Sequence, residues 1–333
     1  MKNRNFIIGL LFSLSTVVLG VLSPIALAAP AFTDEGPAPG NMLFSWIHGS
    51  LSAKDNSDVR VQVHRYNEHT YILRQNPAIH WEAPFMYLIF GAQQVVLLDS
   101  GATSEAEYFP LRQTVDAVIQ RWEQANSVSD LPLVVLPLGS EFSQTEGLGQ
   151  FVDRPNTTIL PATEAGRASL FDDKNTATLD LGGRRLDLMA TPGIDEFAVS
   201  LYDPWTDLLF TGNTFYAGRL VVRDFDAYKA SLKRLLAFTE SHPVKWAMGG
   251  RIEMSDYPGV DYRLRSNFRP REHSLQISAS LLADCYAIVH LINGAEDIRI
   301  HDDFIVMNGV GRGARDSGFP TYTPERFRQV RLR

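Results

Sequence analysis

The chain has a single cysteine, Cys285, in 333 residues, so no internal disulfide can form. Cys285 lies in the apolar run Leu281–Val289, where a buried structural thiol is expected, and it belongs to no cysteine-rich zinc pattern. Histidines are few and scattered: His48, His64, His69, His80, His242, His273, His290 and His301. None stands at His-x-His or His-x-x-x-His spacing, so no local zinc-binding pattern is present. Basic residues are outnumbered, 31 Lys and Arg against 38 Asp and Glu, for a formal net charge of −7. That balance argues against nucleic-acid binding, which needs clustered Lys and Arg. The glycine-rich stretch Gly309–Gly313 lacks the Lys-Ser/Thr of a phosphate loop and is read as a flexible turn. There is no close repeat and no low-complexity tract. Hydrophobic residues make up 45%, ample for a sizeable core in one large domain or two.

The N-terminus has the pattern of an export signal. Lys2 and Arg4 supply positive charge, Phe6–Leu22 is an apolar stretch, and Ala26-Leu27-Ala28 provides small residues at a cleavage site. Residues 1–28 are expected to be removed on export to the periplasm or outside the cell. No later segment approaches the ~20 apolar residues of a membrane span, so no stable span is expected after cleavage. Residues 29–58, rich in Ala, Pro, Gly and Asn, are expected to form an N-terminal arm.

From residue 59 alternation begins. Val59–Val63 and Thr70–Arg74 read as paired strands, as do Met86–Phe90 and Gln94–Leu98. Leu111, Val115, Val118, Ile119 and Trp122 fall on one helical face. Leu133–Leu136 is a short strand, followed by a polar loop and by Gly147-Leu-Gly-Gln-Phe151 opening a helix. The second half repeats the style. Ala177–Leu181 and Arg185–Met189 flank Gly182-Gly183, a strong hairpin signal. Ala198–Tyr202 and Asp207–Phe210 flank Asp203-Pro204. A helix carries Phe225, Tyr228, Leu232, Leu235 and Leu236 on one face. Lys245–Met248 reads as a final short strand, and residues 273–292 as one long apolar helix. His69 and His242 are expected in solvated turns and His64 on a strand surface. Strand pairs followed by a helix, twice over, predict two sheets packed face to face with helices outside.

Five stretches carry a family resemblance: Val95-Val-Leu-Leu-Asp-Ser-Gly-Ala-Thr103, the loop Gly139–Gln144, Ala190-Thr-Pro-Gly-Ile194, Leu209-Phe-Thr-Gly-Asn213, and Met248-Gly-Gly-Arg251. In this order they resemble the metallo-β-lactamase superfamily, over roughly residues 59–255. The resemblance implies an α+β, αββα four-layer sandwich of two mixed sheets. Residues 256–333 are expected to form a helical or irregular extension packed on that domain. The family's His-x-His-x-Asp-His loop, its Thr-Pro-Gly-His, its bridging aspartate and its last histidine fall here on Gly139, Glu141, Ser143, Gln144, Ile194, Asn213 and Arg251. Glu141 is the one good metal ligand among them. Zinc needs three or four His, Cys or carboxylate donors, and a permanent guanidinium repels it. No catalytic metal and no cofactor is therefore expected.

Two readings of the altered pocket follow. In the first, Arg251 pairs with Glu141 in bidentate geometry and leaves a cationic donor for a small, possibly anionic, molecule. In the second, Ser140 or Ser143 acts as a nucleophile on an ester, thioester or lactam, with Asp195 or Glu196 after Ile194 as a neighbouring base, or with His273, which opens the 273–292 helix, as partner; Glu141 is a further catalytic candidate. No Gly-x-Ser-x-Gly surrounds either serine. A hydrolase with a relocated single metal, and a non-catalytic interaction module with a vestigial pocket, also stay open. Asp99 is expected to order the loop, and Asn156-Thr-Thr158 fits a glycosylation acceptor.

Overall fold

The computed structural model describes residues 32, 37–52, 55–171, 175–310 and 328–329. The expected signal, residues 1–28, lies outside them, as do the first residues of the arm and Gly311 to Gly313. Among the described residues no helix is long and apolar enough to cross a membrane.

The first sheet runs β1 (Val61–Asn67), β2 (Thr70–Gln75), β3 (Phe85–Phe90), β4 (Val95–Leu98), β5 (Leu133–Leu136) and β6 (Thr157–Ile159) in spatial order. The first four are antiparallel, while β4, β5 and β6 are parallel. A parallel neighbour requires a crossover, and helix α1 (Leu111–Asn126) supplies it between β4 and β5. β3 is buried on both faces, and its alternation sorts its side chains into two cores. Met86, Leu88 and Phe90 join Val115, Val118 and Trp122 of α1. Phe85, Tyr87 and Ile89 join the core shared with the second sheet.

That second sheet has the spatial order β13 (Gln276–Ser278), β12 (Trp246–Gly249), β10 (Leu208–Gly212), β9 (Val199–Asp203), β8 (Arg185–Ala190) and β7 (Thr176–Asp180). α4 (Phe225–Ser241) lies in the parallel crossover from β10 to β12. Phe210 meets Tyr87 across the two sheets with ring centroids 4.7 Å apart. Tyr202, on the opposite face, meets Phe238 of α4 at 5.1 Å. The layers are therefore helix, sheet, sheet, helix, with α5 (Leu281–Ile292) beside α4. This is the metallo-β-lactamase-like α+β fold, with mixed sheets and five helices, the other two being α2 (Phe142–Thr145) and α3 (Glu164–Leu170). A smaller sheet, β11 (Arg219–Val222), β15 (Ile305–Asn308), β14 (Asp297–Ile300) and β16 (Arg328–Gln329), closes one side.

Several expectations are corrected. Residues 273–292 are not one helix. Gln276–Ser278 pair antiparallel with Trp246–Met248, and the helix begins at Leu281. The open edge of β12 offers backbone partners that an isolated helical turn lacks, which decides the local choice. Lys245–Met248 is thus not the final strand, and the stretch after residue 255 contains strands as well as a helix. Gly147–Phe151 forms a short 3-10 turn (Glu146–Phe151) after α2 rather than opening a regular helix. A Cβ on Gly147 would sit 2.1 Å from the Ser100 carbonyl oxygen, so its bare backbone is packed tightly there. His64 is buried, stacked on Phe44 and bonded to the Asn41 carbonyl at 2.6 Å. His69 accepts the Trp122 indole N–H at 3.0 Å. Burial, with Arg184 nearby, lowers its pKa to about 4.

Candidate functional site

The site is built where loops from both sheets converge. Asp99 follows β4 in the left-handed region, φ 62°. Its carboxylate accepts the Leu138 N–H at 2.7 Å and the Gln144 side-chain amide at 3.2 Å, which fixes the Gly139–Gln144 loop. Burial lifts the Asp99 pKa to about 7 against those two hydrogen bonds. The Gln144 side-chain oxygen in turn accepts from the Asn213 amide at 3.2 Å, and the same amide reaches Glu141 Oε2 at 3.4 Å. Gly139 makes room for this chain of amides, since a Cβ there would meet Gln144 Oε1 at 2.4 Å. Ile194 packs into the core between the sheets. Gly193 before it has φ 136°, and a Cβ there would strike Tyr228 Cα at 2.4 Å, so the Thr-Pro-Gly turn lets α4 approach.

Arg251 follows β12 and is 4% exposed. Its Nη1 lies 2.8 Å from Glu82 Oε1, and its Nη2 lies 3.6 Å from Glu141 Oε2. The expected bidentate pair with Glu141 does not form. Glu82 precedes β3, and the Phe85 N–H donates to the Gly250 carbonyl at 2.8 Å, which holds Glu82 opposite Arg251. Glu141 instead pairs with Arg223 at the rim. The Arg251 guanidinium also lies over the Tyr216 ring, 5.0 Å from its centroid. Burial works against its charge, but Tyr216, Glu82, Glu253 and Glu141 together hold its pKa well above the ordinary value. Burial would raise Glu253. Arg219 and Arg251, with the Arg219 N–H and the Tyr216 hydroxyl, bring it down to about 2.

A cavity of about 220 Å³ lies over Arg251. Trp81, Phe142, Val221, Leu264 and Met307 form its apolar walls, and Glu82, Glu253, Arg219, Arg251 and Arg265 are its charged lining. Of the seven positions matched to the family's ligands, Arg251 alone lines this cavity. Most of the rest of the lining was missed in the sequence. Glu253 had a signal, because in an extended segment it shares a face with Arg251 two residues earlier. Trp81, Glu82, Arg219, Leu264 and Arg265 come from separate loops and strands, and no local pattern marks them.

Two buried arginines show contrasting environments. Arg184 donates all five N–H bonds, to Asp203 twice, the His69 and Phe90 carbonyls, and Thr70. Arg251 Nε and Nη1 have no aligned acceptor among the described residues, and neither oxygen of Glu82 has an aligned donor. Arg74, Arg167 and Arg269 have similar unaligned nitrogens but do not line the cavity.

Neither serine candidate is hydrogen-bonded to His273. Ser140 donates its hydroxyl to Asp195 Oδ2 at 2.7 Å and its N–H at 2.9 Å, an arrangement that closes the loop. The Ser143 hydroxyl is buried with no hydrogen-bond partner among the described residues. His273 does not open a helix. Its Nε2 is 2.9 Å from Asp303 and its Nδ1 is 2.9 Å from the Ser274 carbonyl. Both ring nitrogens face acceptors, so the site suits the imidazolium. Burial opposes the charge, and Asp303 with the Ser274 carbonyl raises the pKa above the ordinary value. The stability this pair contributes is full below the unfolded pKa of ~6.5 and lost as pH rises through the higher folded value. His273→Ala is expected to cost roughly 1–2 kcal/mol at pH 6 and clearly less at pH 9, by urea unfolding. An equal cost at both pH values would refute the charged pair.

The resemblance implies zinc at this place, and the residues present do not fit it. The Gln144 side-chain oxygen is spent on the Asn213 amide, and Gly139 and Ile194 have no side-chain donor. Glu141 is engaged by Arg223, and Arg251 brings a fixed positive charge. Among the described residues no group of three or more His, Cys, Asp or Glu is placed to hold a metal ion.

Solved structures similar to the chain are metallo-β-lactamases. One from Pontibacter korlensis is 16% identical, with 69% of this chain and 99% of that chain covered and a TM-score of 0.46. One from Erythrobacter litoralis is 12% identical, covering 71% and 99%, TM-score 0.49. One from Pseudomonas aeruginosa, in a mono-zinc form, is 9% identical, covering 71% and 97%, TM-score 0.48. At these identities the likeness extends no further than fold. No family model matches the chain, and no curated protein matches it.

Proposed function

We propose that the protein holds a small anion in the cavity over Arg251, and that the arginine–carboxylate cluster stands where the related fold carries metal. One observation carries this reading: three guanidinium groups, of Arg219, Arg251 and Arg265, line one cavity of about 220 Å³ against two carboxylates, of Glu82 and Glu253, which leaves an excess of positive charge. Arginine suits it, because its planar fork binds carboxylate or phosphate in two parallel hydrogen bonds. With no imidazole at the matched positions, the metal ligands of the family are lost in this chain, and no metal-dependent step is assigned to it.

Two measurements test the reading. Protein purified from zinc-supplemented medium is expected to carry far less than one equivalent of zinc by elemental analysis, and a stoichiometric metal would overturn it. Titration calorimetry is expected to give saturable binding of at least one of acetate, inorganic phosphate and phenylacetate. The absence of all three would overturn the anion pocket.

Export is proposed on Lys2, Arg4, the apolar run Phe6–Leu22 and Ala26-Leu27-Ala28. Mature protein is expected to begin at Ala29 by intact mass, and an intact Met1 on exported protein would count against cleavage.

A further inference from the structure

We infer that the cavity takes a small monocarboxylate with a flat apolar body, its carboxylate on Arg265 and its body against Trp81 and Phe142. The assignment rests on the small-anion reading above and narrows it by charge, size and wall chemistry.

Charge comes first. Glu253 receives Arg219 Nη1 at 3.2 Å, the Arg219 N–H at 2.8 Å and the Tyr216 hydroxyl at 2.9 Å. Arg219 is further held by Asp261 at 2.6 Å. Glu82 faces Arg251. Arg265 is the lining guanidinium left without a carboxylate partner among the described residues, and it is exposed while Arg219 and Arg251 are buried. One carboxylate on the ligand completes it. A second negative charge would face Glu82 and Glu253 in the same wall, where the low dielectric strengthens repulsion. A dianion such as phosphate is therefore the poorer fit.

Size and walls narrow the body. A cavity of about 220 Å³ is below the ~300–1,000 Å³ of pockets for drug-sized ligands, which suits a small body such as a single ring with a short acid arm. Trp81, Phe142, Val221 and Leu264 are the partly exposed apolar walls, so a ligand meets aromatic and aliphatic surface before it reaches the buried charges. Flat apolar groups bury best against such faces. Arg265 also holds a strained backbone, φ 64°, which a side chain rarely adopts.

The strain supplies a clean variant. Arg265→Gly removes the guanidinium and suits the left-handed backbone, so its thermal midpoint is expected to be equal to or above that of the parent. Calorimetry on the full chain would use phenylacetate, acetate, inorganic phosphate and neutral phenylacetamide. Phenylacetate is expected to bind at least about tenfold more tightly than the other three, and Arg265→Gly to weaken it by about tenfold to a hundredfold. If acetate or phosphate binds as tightly as phenylacetate, the anion pocket stands and the apolar-acid assignment falls. If phenylacetate binding survives Arg265→Gly unchanged, the assignment also falls, because the acid sits elsewhere. If no anion binds, both fall together.

Discussion

Arg251→Ala is expected to destabilise the protein by about 3–5 kcal/mol, among the largest losses any single replacement would produce here. The guanidinium is nearly fully buried, with Glu82 at 2.8 Å and Glu141 at 3.6 Å. Removing it leaves the buried Glu82 without its ion-pair partner among the described residues, and takes one of the nearby cations from Glu253. The cost lies in the abandoned partner more than in the lost attraction, so the double variant Arg251→Met with Glu82→Leu is expected to regain most of the loss. Urea unfolding of the two single variants and the double variant measures the coupling. A loss under about 1 kcal/mol for Arg251→Ala would mean that the pair is solvated in solution and that the cluster does not hold the loops together.

The second large effect is on pH dependence, through Asp99. Its carboxyl is fully buried, and its pKa is raised from 3.8 to about 7, first by burial. For a raised pKa, the folded state is favoured below the unfolded value and loses that advantage as pH rises through the folded one. Asp99→Asn keeps the side chain neutral, so it isolates the titration. Relative to Asp99→Asn, the parent is expected to lose on the order of 3 kcal/mol of stability between pH 5 and pH 8. Other groups move the parent curve the opposite way. His69, lowered to about 4, contributes stability that is present above ~6.5 and lost as pH falls toward 4. Glu253, lowered to about 2, does the same below ~4.5. Both titrate in parent and variant alike and cancel in the difference. Equal stability differences at pH 5 and pH 8 would show that Asp99 is ionised throughout.

Much of the architecture was legible because strand alternation and turn chemistry are local. Leu179↔Leu186 pair across Gly182-Gly183, whose φ values of 91° and 82° favour glycine. The α1 face of Leu111, Val115, Val118, Ile119 and Trp122 is buried as its spacing predicts. The 273–292 stretch misled because its apolar content suits either a helix or a buried strand, and the edge of β12 decided the matter. The site was less legible. Arg251 and Glu141 were identifiable as the charged residues at the matched positions, but Glu82 and Arg223 were not, and they are the nearest partners of those two charges.

Residue identity alone determined that no imidazole stands at Gly139, Glu141, Ser143, Gln144, Ile194, Asn213 or Arg251, and that strands and helices alternate in two similar halves. Those are properties of single side chains and of short repeats along the chain. Only the tertiary structure decided which carboxylate meets Arg251, and that the cavity opens toward Trp81, Phe142 and Arg265. Charges pair through space at a few ångströms, and the crossing of two sheets sets those distances.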